Sequence, residues 1–86
     1  MTYTEQFKDY FSKHQNYFTR TVILYLEADE GTRSESKAHW LKCHAENLQR
    51  ERQDLILFSS NNLAAITLAE LILEEQKNGG NHEKDS

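Results

Sequence analysis

Apolar positions in the first third of the chain recur at steps of three and four. Tyr3, Phe7, Tyr10, Phe11, His14, Tyr17, Phe18, Thr21, Val22 and Tyr25 share one side of a helical spiral, while Glu5, Lys8, Asp9, Ser12, Lys13, Gln15, Asn16, Thr19 and Arg20 occupy the other. This period predicts an amphipathic helix over Thr2–Ala28. Thr2 and Glu5 have the spacing of a capping box, in which each side chain satisfies a free backbone N–H. Seven of the nine aromatic residues fall in this segment, so its stripe is expected to supply most of the core. The run Thr21–Leu26 has strand propensity, but no second strand is evident to pair with it.

Glu27, Asp29 and Glu30 are unfavourable at a helix C-terminus, where the macrodipole prefers cations. Gly31 follows and is expected to close the first helix in a left-handed conformation. Thr32 and Glu35 suggest a second capping box, opening a helix over Arg33–Phe58 that returns antiparallel to the first. On it Trp40, Leu41, His44, Leu48, Leu55 and Phe58 form a thin apolar seam, opposite His39, Cys43, Glu46, Arg50 and Asp54. Ser59-Ser60-Asn61-Asn62 then predicts a break, because Ser and Asn side chains compete for nearby backbone groups. A third helix is expected over Asn61–Lys77, stopped by Gly79 and Gly80. The alternative is one helix from Arg33 to Lys77, long enough to require another subunit.

The expected fold is therefore all-α: a helical hairpin plus a third helix in a single domain over residues 1–79, with a disordered polar tail over 80–86. Leu63, Ile66, Leu68, Leu71, Ile72 and Leu73 point almost all the way round the third helix. A helix on the outside of a small monomer should keep a polar face. These six residues are thus the candidate interface of a homodimeric helical bundle.

At 86 residues the chain is one small domain, a size that often relies on a disulfide, a metal or a partner. Its one cysteine, Cys43, excludes an internal disulfide. There is neither an uninterrupted apolar run of about 18 residues nor the start of a signal peptide. No membrane segment is expected, and the expected location is cytoplasmic.

Net charge is −4, and residues 59–86 hold two basic and five acidic groups, which is most of the imbalance. No basic cluster stands out. Lys13 and Arg20 share a face, and Gln49, Arg50, Arg52 and Gln53 come nearest to a recognition helix, yet alternating charge more often marks a solvated face. Nucleic acid is therefore an unfavoured partner. Glu27, Asp29, Glu30 and Glu35 form a candidate acidic docking surface, without the alternating ligands and central glycine of a calcium loop.

Other chemistry is sparse. His39, Cys43 and Glu46 follow one another along a helix face, but zinc sites draw four ligands from more than one segment. Cys43 and His44 point about 100° apart on a helix, and no glycine-rich turn offers an oxyanion site. His14 and His44 lie on apolar stripes and are expected to be satisfied inside the core. No catalytic, cofactor or metal residue is assigned. The expected function is that of a small non-catalytic regulator or adaptor binding an unidentified protein as a homodimer. Alternatives are an acidic inhibitor that blocks an enzyme's nucleic-acid site, of the kind carried by phages and mobile elements, and a weak nucleic-acid-binding regulator.

Overall fold

The computed structural model describes the backbone of residues 2–85 and the side chains of residues 2–78. It contains α1 (Tyr3–Lys13), α2 (Tyr17–Glu27), α3 (Glu30–Gln49) and α4 (Gln53–Asp85), with no strand among the described residues. The all-helical class is as expected; the number of helices is four rather than three. Gly79 and Gly80 do not stop the last helix as predicted, since the α4 backbone continues through them to Asp85; the side chains of the expected tail, 80–86, lie outside the described residues.

The capping box at Thr2 forms: its side chain accepts from the Glu5 N–H, and Glu5 returns a bond to the Thr2 N–H. The predicted single helix over Thr2–Ala28 is, however, two helices. His14 has extended φ/ψ and closes α1, while Asn16 caps α2. Asn16 Oδ1 accepts from the Thr19 N–H at 3.0 Å, and Thr19 Oγ1 accepts from the Asn16 N–H at 2.9 Å. This reciprocal pair stabilises an interruption that the unbroken apolar rhythm concealed.

At the next corner Asp29, rather than Thr32, is the N-cap. Its carboxylate accepts from the Thr32 N–H at 2.7 Å, so α3 begins three residues earlier than predicted. That backbone bond, helped by the Thr32 side chain, holds the Asp29 carboxyl below its ordinary pKa. Gly31 consequently lies in the first turn of α3 and does not close α2 in a left-handed conformation.

The left-handed residue is Glu51, at φ 55°. α3 ends on a Schellman motif, with the Arg52 N–H donating to Asn47 O at 3.1 Å and the Glu51 N–H to Leu48 O at 3.2 Å. The second break thus falls at 50–52, whereas the predicted one at Ser59–Asn62 is absent. Ser59 and Asn62 are both buried inside α4. Ser59 Oγ donates back to the Leu55 or Ile56 carbonyl, accepts from Asn47 Nδ2 at 3.3 Å, and shares a 2.7 Å hydrogen bond with His44 Nδ1. Asn62 Nδ2 donates to Phe58 O at 3.0 Å, and its Oδ1 accepts from Tyr17 Oη at 3.2 Å. Each side chain thus bonds back to a carbonyl in the preceding turn of α4, which leaves the helix intact, and uses its remaining capacity on α2 or α3.

α4 is the spine. α1, α2 and α3 each pack on it, while α2 and α3 scarcely touch each other. The core joins Ala65, Ile66, Ala69 and Ile72 of α4 to Phe7, Val22 and Tyr25. The two alanines on this inner face leave room for neighbouring backbones to come close. Most of the aromatic stripe flanks the core: Tyr3, Tyr10 and Tyr17 remain exposed. By length and composition Gln53–Asn78 is apolar enough to cross a membrane, although counting uninterrupted apolar residues did not reveal it; the core helix of a bundle passes the same test.

Two polar clamps orient the outer helices. Lys37 Nζ lies 3.0 Å from Glu70 Oε2, and this hydrogen-bonded pairing raises the Lys37 pKa. At the other end the Glu75 carboxylate accepts from the N–H groups of Tyr3 and Thr4 and from Thr4 Oγ1, fastening the start of α1 to α4. Desolvation pushes the Glu75 pKa up, but the bonds from Tyr3 and Thr4 outweigh it and the net shift is downward. A depressed carboxylate pKa stabilises the fold above its unfolded value and loses that contribution as pH falls through the folded value.

Acidification below the ordinary carboxylate value of 4.5 is therefore expected to release α1 first. Amide hydrogen exchange in the first turn of α1, followed against pH, measures this; Glu75→Gln should flatten the dependence, and equal pH dependence in both proteins would refute it. Glu51→Gly should relieve the left-handed strain by about 0.5–1 kcal/mol, raising Tm by roughly 2–8 °C. An unchanged or lower Tm in calorimetry would contradict that account.

Candidate interaction surface

The gap between α2 and α3 forms a groove of about 260 Å³ over the spine. Tyr17 and Leu24 line its α2 wall, Arg33 and Trp40 its α3 wall, and Asn62 and Ile66 of α4 lie beneath. Two interactions hold the walls in place. Arg33 Nε donates to Tyr25 O at 3.0 Å and its Nη2 to Leu26 O at 2.9 Å, so a cation caps the carbonyl end of α2. At the other end Phe58 bridges the helices, with its ring centroid 5.6 Å from that of Tyr17 and 5.4 Å from that of Trp40, edge-on to the latter. The indole of Trp40 also meets the His39 ring at 5.2 Å.

The residues assigned from sequence to an interface have different environments. Ile66 and Ile72 are core residues, Leu63, Leu68 and Leu73 are half-buried, and Leu71 is 37% exposed. The premise that one chain cannot shield this segment is corrected: the break at 14–16 lets α1 and α2 cover separate parts of α4. The largest aliphatic exposures occur elsewhere, at Leu24 (62%), Leu41 (51%), Leu48 (52%) and Leu57 (74%). For Leu57 the helical wheel held the signal, since it projects on the opposite side of α4 from the inward-facing Asn62. The expected break at Ser59 hid that relation.

Glu27, Asp29, Glu30 and Glu35 are all exposed around the α2–α3 corner, beside the end of the groove lined by Ala28 and Thr32. Asp29 is occupied as the α3 cap; of the other three carboxylates, Glu27 ends α2 and Glu30 and Glu35 lie in the first half of α3. His39 Nε2 and Cys43 Sγ come within 3.6 Å, as their spacing of four predicts. No group of three or more His, Cys, Asp or Glu side chains converges among the described residues.

His44 is half-buried and hydrogen-bonded to Ser59, matching the expected satisfied histidine. His14 is not a core residue: it is exposed at the end of α1, with its ring 4.8 Å from that of Tyr10. The α1 break turns it out of the stripe. Comparison with protein-family models, curated proteins and solved structures finds no match to this chain.

The half-buried Trp40, the one tryptophan, makes the groove directly observable. Arg33→Ala is expected to lower stability by about 1.5–3 kcal/mol, the range for charge-assisted hydrogen bonds, and to shift Trp40 emission to the red as the wall loosens. Unchanged denaturant midpoint and emission would show that Arg33 does not hold it.

Proposed function

We propose that this chain is a non-catalytic helical adaptor or regulator that works as a homodimer in the cytoplasm and acts by covering the surface of another protein. The observation carrying this reading is the persistence of Leu24, Leu41, Leu48 and Leu57 at more than half exposure after the core has closed. Single exposed leucines are ordinary, but Leu41 and Leu48 lie seven apart on one side of α3, and contiguous apolar surface is a mark of association. The groove supports the same reading. Tyr, Trp and Arg are the residue types that dominate binding energy at interfaces, and Tyr17, Trp40 and Arg33 meet there on fixed helices. An apolar helical segment laid between α2 and α3 is the occupant suited to such a trough.

A second reading, the acidic inhibitor of an enzyme's nucleic-acid site, draws on Glu27, Glu30 and Glu35 exposed around one corner. The two readings separate by substitution. The wild-type chain is expected to capture a protein from its native host after nuclease treatment. Leu24→Glu and Trp40→Ala should lose that capture while retaining cooperative unfolding; Glu27→Lys with Glu30→Lys and Glu35→Lys should abolish it only under the acidic reading. Capture unaffected by any of these changes would remove both surfaces. Sedimentation at tens of micromolar should give twice the chain mass, and a monomer there would remove the homodimer.

A further inference from the structure

α3 has a second face, turned about 100° from the one that meets α4. Arg33, Lys37, His44 and Asn47 make its internal contacts. Gly31, Ser34, Ala38, Leu41, Ala45 and Leu48 follow at alternating steps of three and four, and all six are exposed. This is a heptad seam, with Gly31, Ala38 and Ala45 at one core position and Ser34, Leu41 and Leu48 at the other. Within the described chain it has no helix to pair with.

We propose that a second copy of this chain occupies the face, with the two α3 helices antiparallel about a two-fold axis passing between His39 and Trp40. The proposal rests on the homodimer reading above and names the surface that forms it. Its first support is complementarity of size. In that register Leu41 lies opposite Ala38 of the second copy, Leu48 opposite Gly31, and Ser34 opposite Ala45, with each relation repeated by symmetry. Every leucine therefore meets a glycine or alanine, so the two helices can approach closely without opposing bulk. A parallel arrangement would instead set Leu41 against Leu41 and Gly31 against Gly31, alternating crowded and empty layers.

Charge supplies the second, independent support. The position flanking the seam on its solvent side is Glu35, then Lys42, then Gln49. Antiparallel pairing about the same axis puts Glu35 beside Lys42 of the second copy and Lys42 beside its Glu35, forming two opposite-charge pairs from one sequence difference. Parallel pairing would place like charges together. A two-fold interface must be complementary to itself, and both the sizes and the charges of this face meet that condition in the same register.

The test is a charge swap read by sedimentation equilibrium. Glu35→Lys should weaken the dimer about three- to tenfold, because two attractive pairs become repulsive. Lys42→Glu should do the same, and the double variant should recover close to wild-type affinity. Leu41→Glu, at a position already half exposed and so not needed for folding, should weaken it about a hundredfold or more. Direction is read in a Cys43→Ser background. Ser34→Cys combined with Ala45→Cys should form a disulfide-linked dimer on oxidation, while either change alone should not. Linking by Ser34→Cys alone would show a parallel pair and overturn the register. A dimer indifferent to Leu41→Glu and to both charge variants would overturn this face while leaving the homodimer intact; a monomeric wild type would overturn both.

Discussion

The structure depends on α4 remaining continuous through Ser59–Asn62. Four polar residues in succession at this point would ordinarily end a helix, because their side chains offer the backbone competing hydrogen bonds. Here Ser59 and Asn62 turn inward and take partners on both neighbouring helices, Ser59 from His44 and Asn47 of α3 and Asn62 from Tyr17 of α2. A buried polar group without a partner is costly, whereas a satisfied one fixes the geometry of whatever it binds. No described buried side-chain nitrogen or oxygen lacks a partner. The network therefore sets the rotation of α4 under α2 and α3, and with it which aliphatic residues point inward.

Everything outside the core follows from that rotation. Ala65, Ile66, Ala69 and Ile72 face the other helices, which leaves Leu57 and Leu71 outward. Because α2 and α3 are both placed by α4 and hardly meet, a groove opens between them with Phe58 bridging its two walls. On α3 the side chains facing the spine are polar or aromatic: Lys37, Trp40, His44 and Asn47. Its small and leucine residues are thereby left on another side. The face α3 turns to the spine is therefore polar, aromatic and half-buried, while leucine and alanine lie on its exposed side.

Much was legible at the level of helix and corner. The capping box at Thr2, the end of α2 near Ala28 and the all-helical class are local matters, and local signals expressed them. The misplaced boundaries trace to hydrogen bonds that helical period does not record. At His14–Asn16 a strong apolar period ran through a break made by a capping pair, Asn16 and Thr19; at Arg50–Arg52 a Schellman turn formed around Glu51, where no glycine advertised it. At Ser59–Asn62 residues that commonly end helices were held inside one. A side-chain capping pair made the first break and backbone bonds the second, while at Ser59–Asn62 partners on other helices accompany an unbroken helix.

Composition and periodicity were sufficient for the all-helical class and for the amphipathic sides of the helices, because both depend on neighbours within a turn or two. Burial depended on more distant contacts. Whether Leu63–Leu73 or Leu41 and Leu48 lacked cover was decided only when α1 and α2 separated and packed over α4. Hydrophobic pattern records which side of a helix avoids water; which other helix supplies the shelter is a property of the assembled fold.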